Sequence, residues 1–303
     1  MAPLLRGLAQ VDFMPTVWCG VFFAGALFAA GWQYGVFALV GTAVSTLAAV
    51  LWGVDRTRIT AGLEGFNGAL VGTAAAVFLG PDHLSTWLVA VGGAIASTVV
   101  TAALVGLLGT WDIPTLTFPF CITASVMTIG APEFERLWHG QGGLTVLPVP
   151  AQGDTALSWS DLWHAFFANV AQIFFMPQWY VGALFLAGIF VASRRAGLIA
   201  SLGSIVGIAS AWMLGSPAEE VRAGLLGYNA VLVALALCGV FVTVSGWSLA
   251  YAVIGAMAST AVTGALNDLF DPVGGHTLTW PFCLTTLVFL LAVPALPRLR
   301  RSE

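Results

Sequence analysis

TLTFPFC at residues 115–121 returns as TLTWPFC at 277–283, and the 162 residues between the copies are also the offset of three further pairs. Ala9-Gln10 recurs as Ala171-Gln172, Phe13-Met14-Pro15 as Phe175-Met176-Pro177, and AGLEGFN at 61–67 as AGLLGYN at 223–229. Four matches at one offset, with no insertion, mean that the chain is built from two related halves. The first runs from 1 to 131 and the second from 163 to 293. The stretch 132–162, with Pro148, Pro150 and several glycines, reads as an exposed linker, and 294–303 as a tail.

The sequence around these motifs is apolar. Hydrophobic residues make up 59% of the 303 and charged residues 8%, far below the roughly 25% that keeps a soluble domain dispersed. Runs of about 20 apolar residues, enough to cross a hydrocarbon core of roughly 30 Å, recur throughout. In the first half they fall at 15–33, 35–54, 62–80, 84–108 and 113–131, after a segment at 3–12 that is too brief to span. The second half repeats the pattern. The expected fold is an all-α integral membrane protein of ten transmembrane helices plus two short re-entrant helices.

Five spans per half is an odd number, so the repeats have inverted topology. All ten basic residues are arginine. With the N-terminus inside, Arg6, Arg56, Arg58, Arg194, Arg195, Arg298, Arg300 and Arg301 fall inside, and Arg136 and Arg222 outside. Cytoplasmic loops carry the excess of basic residues, so both termini and the 294–303 tail are expected in the cytoplasm and the linker on the extracytoplasmic side. The N-terminal residues lack the layout of a cleavable signal. Cys19, Cys121, Cys238 and Cys283 lie far apart in apolar segments, which fits packing and neither a disulfide framework nor a metal site. The net charge of −4 argues for no charged partner such as nucleic acid.

In inverted-repeat transporters the site lies near the bilayer midplane, where helices are interrupted. Three segments per half read as interrupted. One is the short helix ending at Gln10 or Gln172, followed by Pro15 or Pro177. Another is EGFNG at 64–68 or LGYNA at 226–230. The last is TFPF or TWPF, where Pro119 or Pro281 is expected to free a carbonyl one turn earlier. Irregular backbone at membrane depth is tolerated where it is buried in protein or lines a watery cavity. The expectation is a central pore on the pseudo-twofold axis. Its polar lining would be Gln10, Gln172, Thr117, Thr279 and freed carbonyls; its apolar lining would be Phe13, Phe66, Leu70, Phe175, Tyr228 and Leu232. Acceptor oxygens between flat aromatic walls suit a small, neutral, planar solute rich in N–H donors, whereas an ion needs charged rings or a dense carbonyl cage.

IPTLTFPF at 113–120 and TLTWPFCL at 277–284, with GFNGALVG at 65–72 and GYNAVLV at 227–233, resemble the urea transporter family of bacteria and animals. The resemblance covers the whole chain. It implies a homotrimer with one pore per protomer, in which urea moves down its gradient through a fixed filter. By position, Phe13 and Phe66 with Phe175 and Tyr228 would form slots for a flat molecule, and Leu70 and Leu232 would narrow them. Gln10 and Gln172 would accept hydrogen bonds at the outer sites, and Thr117 and Thr279 would line the constriction. It implies no cofactor, and the arginine set and compact loops are compatible with a bacterial inner-membrane protein. Three residues depart from the family: His276 replaces a proline, so the second filter segment is expected to bend differently; Tyr228 replaces a phenylalanine; and Gln172 replaces a common carboxylate.

Other roles leave other marks. The alternative for Gln10 and Gln172 is a helix C-cap, with the pore reading favoured, and Asn67 and Asn229 are expected to bond backbone at the helix breaks. Glu64, with Leu226 at its counterpart, reads as lying at the membrane edge. The four histidines fall at or near expected loops. An ammonium channel would carry paired intramembrane histidines, a water or glycerol channel two Asn-Pro-Ala motifs, and a coupled carrier ionisable groups inside the bundle. The alternative to urea is a channel for ammonia or other small neutral amides or polyols. An intramembrane enzyme would need a nucleophile with its base or a His-Glu-x-x-His set, and the sequence has neither.

Overall fold

A computed structural model describes residues 1–134, 137 and 152–302. Most of the expected linker, with Arg136, His139, Pro148 and Pro150, lies outside the described residues. The chain forms two compact units. One takes the residues before the linker together with 269–276, and the other takes those after it through 268 together with 277 onward.

The first unit contains α1 (Ala2–Gln10), α2 (Val17–Ala30), α3 (Trp32–Leu51), α4 (Arg56–Ala61), α5 (Phe66–Leu79), α6 (Leu84–Leu108) and α7 (Phe118–Gly130). The second is built from α8 (Trp159–Ala171), α9 (Trp179–Ala192), α10 (Arg194–Met213), α11 (Ala218–Arg222), α12 (Tyr228–Leu235), α13 (Gly246–Phe270) and α14 (Trp280–Ala292), with the last two residues of α13 grouped with the first unit.

Among the described residues four helical stretches are long and apolar enough to cross a bilayer, Trp32–Leu51, Leu84–Trp111, Arg194–Met213 and Gly246–Val273, and the bent pair Trp159–Phe174 with Trp179–Ala192 reaches that length as a broken span. At 1.5 Å per residue the 25 residues of α13 rise about 37 Å. The remaining apolar helices stop short, because each begins or ends at one of the copied motifs. α5 and α7, with 14 and 13 residues, cover only about 20 Å each. Long helices thus alternate with half-length ones along the apolar runs read from hydropathy.

α2 crosses α1 closely because Gly20 has no side chain: a Cβ there would collide with the carbonyl oxygen of Leu5. Gly182 of α9 stands in the same relation to Phe167 of α8. These two glycines, 162 residues apart, set the same close approach in each unit. α8 and α9 meet at a bend of 78°.

Several hydroxyls in apolar helices are spent locally. Thr42, Thr73, Thr101, Thr123 and Thr263 each donate to the carbonyl four residues earlier, which lets them stand in apolar surroundings without an orphaned group. Leu88 and Ile95 of α6, and Ile254 and Met257 of α13, face outward, as residues in contact with lipid do. All four cysteines are buried and unlinked.

Candidate solute site

Each unit carries one copy of the candidate site, and the copies are built alike. α1 ends at Gln10, and the next three residues turn sharply, putting Phe13 at φ 63°. After α8, Phe175 sits at φ 64°. Left-handed backbone costs a non-glycine residue roughly 1–2 kcal/mol, so the turn is imposed by its surroundings: Met14 N–H donates to Ala9 O and Met176 N–H to Ala171 O. Both phenylalanine rings stay half-exposed while their neighbours Met14 and Met176 are buried.

The glutamines are fixed from the neighbouring short helix. Gly62 and Gly224 adopt φ 84° and 77°, and a Cβ at either would strike the backbone of α1 or α8. This approach brings the last carbonyls of the preceding turn within reach. Gln10 Nε2 donates to Ala61 O and Gln172 Nε2 to Ala223 O, both at 2.9 Å. Neither side-chain oxygen has a hydrogen bond among the described residues. With its NH2 group committed to a carbonyl, each amide presents an acceptor. Gln172 is the C-cap residue of α8 and Gln10 the last residue of α1, and both side chains bond the neighbouring short helix and not their own.

The Gly-aromatic-Asn motif starts a helix rather than breaking one. Phe66 and Tyr228 are the first residues of α5 and α12. Asn67 Oδ1 accepts from Phe120 N–H at 3.2 Å and Asn229 Oδ1 from Phe282 N–H at 3.1 Å, which ties the second motif to the third within each unit. Leu70 and Leu232, one turn on, are fully buried.

Pro119 and Pro281 lie in the first turns of α7 and α14, where a missing N–H breaks no intrahelical bond. The carbonyl expected to be freed by a proline in mid-helix is therefore not produced that way. The irregular backbone lies just upstream instead. Leu116 and Leu278 are at φ 48° and 49°, and Thr117 and Thr279 follow at φ/ψ of −96°/16° and −98°/20°. The two segments bend alike, contrary to the effect expected of His276. Left-handed Leu278, not the residue two positions before it, sets the geometry. His276 itself stacks on Phe78 at 3.8 Å between centroids within the first unit.

Other residues depart from expectation. The Tyr228 hydroxyl donates to Leu278 O, and Asn229 Nδ2 reaches the same carbonyl at 3.5 Å. Glu64 is 6% exposed and pairs with Arg58 at 2.7 Å. His164 lies inside α8 against Trp163, not in a loop.

Sequence reasoning passed over Asp12, which is fully buried with neither carboxyl oxygen bonded among the described residues. The signal was available, because Asp12 sits between Gln10 and Phe13 where the second copy has Phe174. That phenylalanine stacks on Phe185 at 5.0 Å.

Among the described residues no group of histidine, cysteine and carboxylate side chains is placed to hold a metal. Neutral acceptors and half-exposed rings can pass a solute but offer no nucleophile or proton relay.

A family model described as "Urea transporter" matches residues 1–294. Curated relatives include "Urea transporter 1" of Rattus norvegicus, 32% identical over 301 residues, and "Urea transporter 1" of Ovis aries, 32% identical over 299; each match covers 98% of this chain and 78% of the relative. With apolar helices of spanning length and relatives that are transporters and not enzymes, it is a multi-pass membrane protein and not an enzyme; the chain belongs to the urea transporter family.

Proposed function

We propose that the chain lets urea cross the membrane down its gradient through a narrow filter, by a channel-like mechanism and without ion coupling. Each copy contributes one aromatic slot, Phe13 with Phe66 or Phe175 with Tyr228, narrowed by Leu70 or Leu232. Each also contributes an acceptor, Gln10 or Gln172, with Thr117 or Thr279 at the constriction. The observation that carries the reading is the duplicated glutamine. Both copies spend the amide NH2 on a backbone carbonyl and turn the oxygen out as an acceptor, next to a ring held by left-handed backbone. Urea presents four N–H donors on a flat frame, which an oxygen beside an aromatic wall matches.

The relatives named as urea transporters support the choice of solute. In this reading the chain has ten spans and two re-entrant helices in inverted repeats, both termini in the cytoplasm, and a homotrimeric assembly in the cell membrane of a bacterium. The scarcity of buried ionisable groups on the duplicated elements argues against coupled transport.

The test is stopped-flow light scattering of liposomes holding the purified protein under an inward urea gradient. Fast swelling that needs no ion gradient, and that falls with Thr117→Val plus Thr279→Val and with Phe13→Trp, is the expected result. Swelling no faster than in empty liposomes, with the protein folded, refutes it. Ammonia or small amides passing in place of urea would reassign the solute.

A further inference from the structure

The second unit carries its charges at opposite ends. Arg194 and Arg195 open α10. The loop after α12 lies at the same end, since Ile199 Cδ1 comes within 3.5 Å of a Cβ built on Gly239. Residues 298–302 are tied to that loop: Thr243 N–H donates to Arg300 O at 2.9 Å and Ser302 N–H to Phe241 O at 3.0 Å. Arg298 lies over Trp247, 4.1 Å from the ring centroid. Five arginines therefore share one end. Glu219 and Glu220 follow the far end of α10, Asp161 pairs with Arg222 there, and Asp268 stands at the far end of α13.

A groove of about 430 Å³ opens beside Arg194, lined by that residue with Phe190, Val191 and Leu198. Its shape follows from the corner between α9 and α10. Ser193 caps α10 by accepting from Ala196 N–H at 3.3 Å, and the Phe190 ring lies so close over Gly197 that a Cβ there would collide with it. Val191 and Leu198 are exposed. Arg194 and Arg195 make no ion pair among the described residues, and they sit where the N-terminus of a 20-residue helix adds partial positive charge.

The first copy shows that the cations are separate from the packing. Phe28 lies over Gly35 in the same way, yet Trp32 and Gln33 stand where the second copy has its arginine pair.

We propose that this groove binds an anionic phospholipid, one acyl chain lying along Phe190, Val191 and Leu198 and the headgroup phosphate held by Arg194 and Arg195. An apolar wall gives nothing to a soluble anion, and a pair of unmatched guanidinium groups gives little to a zwitterionic lipid. An amphiphile with a negative head uses both. Because only the second copy carries the pair, the lipid is recognised in one leaflet.

The experiment titrates the full-length protein in detergent with phosphatidylglycerol, with phosphatidylcholine of the same chains, and with inorganic phosphate, read by native mass spectrometry and thermal shift. Phosphatidylglycerol is expected to bind roughly tenfold tighter than phosphatidylcholine. Arg194→Gln with Arg195→Gln removes that preference and leaves phosphatidylcholine binding unchanged. Leu198→Trp, at an exposed position that folding tolerates, fills the groove and weakens both lipids alike. Arg298→Gln with Arg300→Gln keeps the preference. Equal binding of the two lipids by the unaltered protein overturns the proposal, as does a preference that survives loss of Arg194 and Arg195 or depends on the tail arginines. Unchanged binding in Leu198→Trp removes the groove, and inorganic phosphate competing as well as the lipid removes the lipid.

Discussion

Asn67 and Asn229 make the same bond in the two units and differ in everything else, which gives a comparison with an internal control. Replacing either by alanine strands the N–H of Phe120 or Phe282 in a buried place, at a cost of about 1–3 kcal/mol. Asn229→Ala also gives up two contacts of its Nδ2 group, to Thr263 Oγ1 at 3.3 Å and Leu278 O at 3.5 Å. Their acceptors keep other partners, so these add only about 1 kcal/mol together. Asn67 Nδ2, by contrast, is buried with no partner among the described residues. Removing it relieves a penalty of about 1–2 kcal/mol that the native protein already bears. The expected costs are therefore about 2–4 kcal/mol for Asn229→Ala and about 0–2 for Asn67→Ala. At roughly 2–4 °C per kcal/mol, thermal unfolding in detergent, followed by fluorescence-detected size exclusion, should separate the variants by about 4–8 °C. Asn67→Ala melting at or below Asn229→Ala would refute the reasoning.

Tyr228→Phe releases Leu278 O from its hydroxyl donor and should leave urea flux equal to or about twofold above that of the unaltered protein in stopped-flow swelling; a tenfold fall would show that the hydroxyl itself serves the solute. Asp12→Val removes a buried carboxyl with no partner and should raise the melting temperature by several degrees, the counterpart of about 1–3 kcal/mol, with urea flux retained. Gly20→Ala and Gly182→Ala should each abolish the folded peak on size exclusion, because the new methyl meets backbone and not a movable side chain. In the loop before α4, hydrogen bonds from the Thr57 side chain and then its backbone N–H hold the Asp55 carboxyl below its ordinary value of 3.8. A depressed carboxylate gives stability that is present above that value and lost as pH falls through the lower folded-state value. The melting temperature should therefore drop more steeply below pH 4 in the unaltered protein than in Asp55→Asn.

The repeat made much of the site legible, because a residue copied at a fixed offset beside a helix break is hard to explain by packing alone. The glutamines, the phenylalanines and the Asn67 and Asn229 bonds all follow from that pattern. Hydropathy blurred where helices begin. Phe66, Phe118, Tyr228 and Trp280 start helices within apolar runs, and an average over about 20 residues cannot register a turn made by one left-handed leucine. Proline drew attention to Pro119 and Pro281, while the bend belonged to Leu116 and Leu278, residues with no propensity for it. The partner of Glu64 was not legible because Arg58 lies across a turn that only the folded backbone closes. Asp12 was missed because attention went to what the copies share, and its meaning lies in where they differ.

The left-handed backbone at Phe13, Leu116, Phe175 and Leu278 also limits which sequences this protein can explore. Valine, isoleucine and threonine carry a second branch on Cβ that such a backbone cannot accommodate. In a saturation library these four positions should reject the β-branched residues however well their hydrophobicity suits the membrane, while asparagine and glycine survive for folding. Aromatic residues, leucine and methionine are then the larger apolar choices left to such a chain at these points, so variation in solute preference has to come from ring size and from Phe66, Tyr228, Leu70 and Leu232, whose helical backbone does not exclude β-branched side chains.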